Sequence, residues 1–161
     1  MANKRPKKTS AEKIHGKNPF DLMEFRRHLD EEVAKAFPEP DYDLSVKDQL
    51  FDILMERLDI AKARRADILA AIGGGAGNCK SPVEMASNLP SLADSMAKTL
   101  SLAGVSTEGP QGALRVAGLT LGYLWVLRSW AEDESEDLSA TMATLDRTLS
   151  WIDLAAQKTG L

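Results

Sequence analysis

Residues 116–127, VAGLTLGYLWVL, run for twelve positions without a charge in a chain of which 27% is charged. Arg115 and Arg128 close the run at its two ends. A bilayer-spanning helix needs roughly 20 predominantly apolar residues, so this run is too short to be a membrane anchor. As a helix it is apolar on nearly every side. Leu114, Ala117, Leu121, Leu124 and Arg128 make one stripe, and Val116, Leu119/Thr120, Tyr123, Leu127 and Trp130 make a second. A helix of that kind has to be covered on nearly every side. One stripe can pack on the chain's own core. The other needs a further partner, and a second copy of the same chain is the simplest one.

The rest of the chain is helical in pattern too. Asn18 offers a cap and Pro19 a first helical position ahead of Leu22, Phe25, Leu29, Val33 and Ala36, which recur at three- and four-residue steps. Pro38 and Pro40 end that helix. Ser45 with Asp48 three residues on is a capping-box variant, and Val46, Leu50, Leu54, Leu58 and Ala61 continue the apolar stripe behind it. A basic patch, KARR, predicts a bend over residues 62–65, and the glycines of GGGAG stop the short helix that follows. The next helix is expected from Ser81 and Pro82, with Glu84 in its first turn, Pro90 kinking or splitting it, and Gly104 ending it. Two more are expected over about 110–131 and 138–158. No stretch alternates with a period of two, so the fold class is all-α.

The last helix has the most regular period. Leu138, Met142, Leu145, Leu149 and Ile152 step by four and three, the spacing of a helix–helix seam. Gly118 and Gly122, four apart on the preceding helix, would let backbones approach closely. A homodimer interface is therefore expected from Gly118, Leu121, Gly122, Leu124, Trp125, Met142, Leu145 and Leu149. The alternative is a monomer whose two last helices bury their apolar faces internally.

Charge is unevenly spread. Residues 1–17 hold six Lys/Arg against Glu12, a net of +5, while the whole chain carries −4, which leaves −9 on residues 18–161. The basic stretch reads as a disordered leader and residues 18–161 as one helical domain. An acidic body repels phosphate backbones, so nucleic-acid contact would fall to the leader alone. The single cysteine, Cys79, excludes an internal disulfide and fits a cytoplasmic location.

Motifs that carry chemistry are weak. GGGAGNCKS has Asn78 and Cys79 between its last glycine and Lys80, and it follows a helix, so it reads as a helix stop and not as a phosphate loop. Ser95/Lys98 and Ser10/Lys13 match Ser-x-x-Lys without the companion motifs of that chemistry. His28 stands near Glu24, Glu31 and Glu32, but a bundle metal site needs a second His-bearing helix, and His15 is the only other histidine. Cys79 has no nearby base. No catalytic residue, metal site or cofactor is expected, and the chain reads as a binding or assembly module. Phe51, Met55, Met85, Met96, Leu100 and Tyr123 lie on different helices, and with Trp125 they either surround an apolar pocket or form plain core.

The order of parts, LMEFRRHLDEEV, SVKDQLFDILMERLDIAKARRADILAAI, LPSLADSMAKTLSLAGV and GALRVAGLTLGYLWVLRSWAEDESEDLSATMATLDRTL, resembles the C-terminal region of TetR-family transcriptional regulators. It is most similar to the branch that includes lipid-binding auxiliary proteins of ubiquinone biosynthesis. The resemblance covers about residues 20–153. It implies that the last two helices form a dimeric four-helix bundle and that the preceding ones enclose an apolar ligand. It departs from the family at the start, where about 18 basic residues stand in place of a helix-turn-helix domain. Sequence-specific DNA binding is thus expected to be absent, the reader domain being either lost or encoded upstream of Met1. Two other functions stay open: a lipid-binding accessory role in quinone synthesis, and a regulator touching DNA through its basic leader.

Overall fold

Asp21 starts the first helix. In the computed structural model, which describes residues 20–72 and 88–160, its Oδ1 accepts hydrogen bonds from the amides of Met23 (2.8 Å) and Glu24 (3.2 Å). Those two donors have no partner inside a helix, so the cap fixes the start of α1 (Leu22–Ala36). Asn18 and Pro19, expected as the start, lie outside the described residues. The expected leader and the GGGAG loop lie outside them as well.

α2 (Val46–Lys62) opens as its sequence predicts. Ser45 Oγ accepts from the Asp48 amide at 3.1 Å and donates to the Asp48 carboxylate at 2.6 Å. A turn at Ala63 and Arg64 separates it from α3 (Arg65–Ile72). The basic patch at this bend closes another helix. Arg65 donates to the carbonyls of Trp130 and Asp133, its guanidinium lies 5.0 Å from the Trp130 ring centre, and Lys62 donates to the carbonyl of Glu136. Those carbonyls lie at or just past the end of α5 (Gly109–Glu132), where cations oppose the helix dipole.

α4 (Leu89–Leu102) begins with Pro90 already in its first turn. Pro90 therefore stands in the first turn of this helix, where its missing N–H costs nothing, and does not kink it. Ser81, Pro82 and Glu84 lie outside the described residues. The helix ends in a Schellman motif: Val105 N–H donates to Leu100 C=O (2.9 Å), Gly104 N–H donates to Ser101 C=O (3.0 Å), and Gly104 takes φ +73°.

α6 (Ser139–Thr159) pairs with α5 along its length, and α2 runs through the middle of the bundle against α1, α4 and α6. The core they share includes Val33, Ile53, Leu54, Leu58, Met96, Leu119, Val126, Trp130, Leu145 and Leu149. Asp30 ties three helices inside it. Its Oδ1 lies 2.7 Å from Arg57 Nη2, and its Oδ2 accepts from Ser95 Oγ and Lys98 Nζ, both at 3.0 Å. Among the described residues there are six helices and no strand, so the chain is an all-α bundle. No helix among those residues is long and apolar enough to cross a membrane.

Candidate ligand cavity and apolar face

The two stripes on α5 divide cleanly. Leu119, Thr120, Tyr123 and Trp130 face the core, while Leu114, Ala117, Leu121, Leu124 and Arg128 face outward. Gly122 sits on the edge that meets α6, where a Cβ would come within 2.8 Å of Ile152 Cδ1 and 2.9 Å of Thr148 Cγ2. Ser129 and Thr144 continue this contact through their hydroxyls at 3.1 Å. α6 in turn directs Arg147, Trp151, Leu154 and Lys158, at steps of four, three and four, to the outer side.

The outer side of the α5–α6 pair is consequently rich in exposed apolar groups. Leu121 is 67% exposed, Trp125 60% and Trp151 66%, with Leu114, Leu124 and Leu154 also open to solvent. Contiguous exposed apolar surface of this kind marks an interaction site more often than a lone exposed leucine does.

Several expected interface positions lie elsewhere. Leu145 and Leu149 are 1% and 2% exposed within the single chain, so they belong to its own core and leave nothing for a second copy to cover. The four-and-three period of α6 faces α2 and α5, and the outer stripe is a different one. Gly122 admits the chain's own α6, not a partner's backbone. Met142 is exposed but lies off the outer stripe, on the flank that brings Asp146 to Lys47 of α2 (2.8 Å). Leu121, Leu124 and Trp125 do lie on the outer side. Trp151 and Leu154 join them; the sequence period does not mark them, because the regular four-and-three steps belong to the buried side of the same helix.

A cavity of about 660 Å³ opens at one end of this pair. Val46, Lys47 and Leu50 of α2 form one wall, and Leu100, Gly104 and Val105 at the α4 cap form another. Leu114, Arg115, Gly118 and Leu119 of α5 face Leu149, Ile152 and Ala156 of α6 across it. Its size falls within the range of small-molecule sites, roughly 300–1,000 Å³, and its lining is mostly apolar, as such sites require. Gly118 keeps it open: a Cβ there would meet nothing within 4 Å. Polar groups stand in its wall. Lys47 is held above its ordinary range by the hydrogen bond to Asp146, and Arg115 Nη1 donates to the Ser106 carbonyl at 3.0 Å.

Of the described residues expected to form a pocket, only Leu100 lines this cavity. Met96 is fully buried in the core, and Phe51 is half-buried against it. Met55 borders a separate depression among Asp52, Glu56, Asp59 and Glu136. Tyr123 lies in the interior beside Arg57. Met85 is outside the described residues. The described members of the expected set therefore do not converge. Long side chains fill space, and the cavity forms where glycine, alanine and valine leave it empty at helix ends. The signal available in the sequence was the set of short residues, Gly104, Ala155 and Ala156 near predicted helix termini and Gly118 within the apolar helix.

Among the described residues, no three His, Cys, Asp or Glu side chains gather as a metal site requires. Set against known proteins, the chain matches no family model, no curated protein and no solved structure.

Proposed function

We propose that this chain is a homodimeric helical binding module that holds an apolar small molecule and performs no chemistry of its own. The observation that carries this reading is a ligand-sized apolar cavity bounded by the same two helices that expose the apolar face. A second copy would cover Leu121, Trp125 and Trp151, and the cavity would hold the ligand beside that seam. Such an arrangement is that of a TetR-like effector domain, in keeping with the order of its parts.

A native mass spectrum of freshly purified protein tests both halves together. The expected result is a particle of twice the chain mass carrying a co-purified small molecule. Gly118→Leu should keep the dimer and lose the small molecule, because its side chain enters open space. Leu121→Asp should yield a folded monomer, since a charge cannot be buried unpaired in a seam. A bare monomer from the wild-type chain would end the proposal.

One observation favours the lipid-binding accessory reading. Arg128, Arg147 and Lys158 share the outer side with Trp125 and Trp151, and tryptophan with basic residues is the composition of a surface that rests on an anionic membrane. Co-sedimentation with phosphatidylserine vesicles, lost in a Trp125→Ala/Trp151→Ala double variant, would support that reading over the dimer. Absence of vesicle binding at low salt would remove it.

A further inference from the structure

The large cavity between α2, α4, α5 and α6 is apolar at its floor and charged in its wall. Leu50, Leu100, Leu119 and Leu149 close the floor, each 5% exposed or less, while Val46 and Leu114 at the rim stay open to solvent. A ligand that fills such a space sends an apolar part to the floor and keeps its other end at the mouth. Among the described residues, three charged side chains line it: Lys47, Asp153 and Arg115.

These three are not equivalent. Lys47 Nζ is engaged by Asp146 Oδ1 at 2.8 Å, and Asp153 Oδ2 accepts from Gln157 Nε2 at 2.7 Å on its own helix. Arg115 is half-buried and enters no ion pair among the described residues. Its Nη1 donates to the carbonyl of Ser106, in the connection between α4 and α5, at 3.0 Å. That bond holds one end of the guanidinium and leaves the rest of its N–H fork for a ligand. A guanidinium held in this way matches a planar carboxylate and loses little further freedom on binding it.

We propose that the cavity takes a single-chain amphiphile with a carboxylate head, the head on Arg115 at the mouth and the hydrocarbon chain against the leucines of the floor. This rests on the reading of the cavity as a ligand site and adds the head group to it; it does not depend on dimerisation. Charge sets the head. One guanidinium matches one negative charge, and Asp153 in the same wall opposes a second, so a dianionic phosphate ester fits less well. A cationic head would meet Arg115 itself. Volume sets the tail: at roughly 30 Å³ for each heavy atom, the share of a water in the liquid, about 660 Å³ holds a chain of about ten to eighteen carbons with its head.

Calorimetric titration of the intact protein with decanoate, decanol, decyl phosphate and decyltrimethylammonium, each below its micelle-forming concentration, tests it at about pH 7.5, well above the ordinary carboxyl range. The expected result is one decanoate per chain, bound at least tenfold more tightly than decanol and more tightly than the phosphate or the cation. Arg115→Met should bring decanoate down to the level of decanol and leave decanol unchanged, a split that general loss of structure would not produce. Should that variant fail to fold, Arg115→Gln serves instead, with the same split expected. Gly118→Leu should abolish the binding of decanoate and decanol alike, which places both in the cavity. Decanol bound as tightly as decanoate, tighter binding of the phosphate or the cation, or a decanoate affinity unmoved in the Arg115 variant would overturn the carboxylate assignment and leave the cavity as a ligand site. Binding of none of the four, or binding that survives Gly118→Leu, would overturn the assignment and count against the cavity itself.

Discussion

Asp133 makes four hydrogen bonds across the connection between α5 and α6. Its Oδ1 accepts from the amide (3.1 Å) and hydroxyl (2.5 Å) of Ser135, and its Oδ2 accepts from the amide (2.8 Å) and hydroxyl (2.7 Å) of Thr141. Leu138, the residue before α6, takes a left-handed φ of 53° and offers no side-chain cap, so Asp133 caps α6 from five residues further back. Ser135 first, then Thr141, holds its carboxyl well below the usual carboxylate range, against the opposing effect of burial. A carboxyl whose folded value is depressed stabilises the fold above its unfolded value, about 3.9, and that stability is lost as pH falls through the folded value. Asp133→Asn should cost about 1–2 kcal/mol at about pH 7, as the loss of a good helix cap does. Urea midpoints taken down to about pH 2 should show the gap between variant and wild type narrowing below about pH 4, as the carboxyl takes up its proton in the unfolded chain. A gap independent of pH would mean that charge has no part in the cap. Nothing in the local sequence marks Asp133 as a cap, since it stands inside an acidic loop, EDESED, that reads as solvated.

At the scale of the helix, what periodicity carries was legible and what depends on close approach was not. The steps of three and four gave the helices, the Ser45 cap, the bend at 62–65 and the division of α5 into two stripes, because one residue advances every helix by the same angle. Periodicity does not say which stripe of α6 is covered by its neighbours. Leu145 and Leu149 read as an interface from their spacing and proved to be core, since α2 already occupies that side. Glycines show the same division. Gly112 and Gly118 look alike in the sequence, yet a Cβ at Gly112 would lie 2.0 Å from the Thr107 carbonyl carbon, while one at Gly118 meets nothing within 4 Å. Gly→Ala inside a helix ordinarily gains up to about 1 kcal/mol. Gly118→Ala should show that gain. Gly112→Ala should instead lose about 1–3 kcal/mol, the range for overpacking, because Thr107 meets it with backbone that cannot rotate aside. Urea unfolding of the two variants under the same conditions checks the contrast. A gain at both positions would mean that the start of α5 yields freely.

For the whole molecule, the outer side of α5 and α6 offers two ways of being covered, and salt acts on them in opposite directions. Among the described residues of α5 and α6, Arg128, Arg147 and Lys158 stand there beside Glu132, so the face carries a surplus of positive charge on a chain whose net charge is −4. A second copy brings the same surplus against it. Screening by salt then favours the dimer, whose drive is the burial of Leu121, Trp125 and Trp151. An anionic membrane brings the opposite charge, and screening weakens that contact by about 1 kcal/mol or less for each basic residue near the surface. The tryptophans give a direct readout: Trp125 and Trp151 are exposed in the single chain, while Trp130 is fully buried. If a second copy covers the face, emission should shift to the blue as protein concentration rises, at lower concentration in about 0.5 M than in about 0.05 M salt. Leu121→Asp should hold the emission red at every concentration. If the face rests on phosphatidylserine vesicles instead, the blue shift should follow lipid concentration and fade over the same rise in salt. Emission unmoved by protein, lipid or salt would leave both tryptophans in water and remove the basis for either cover.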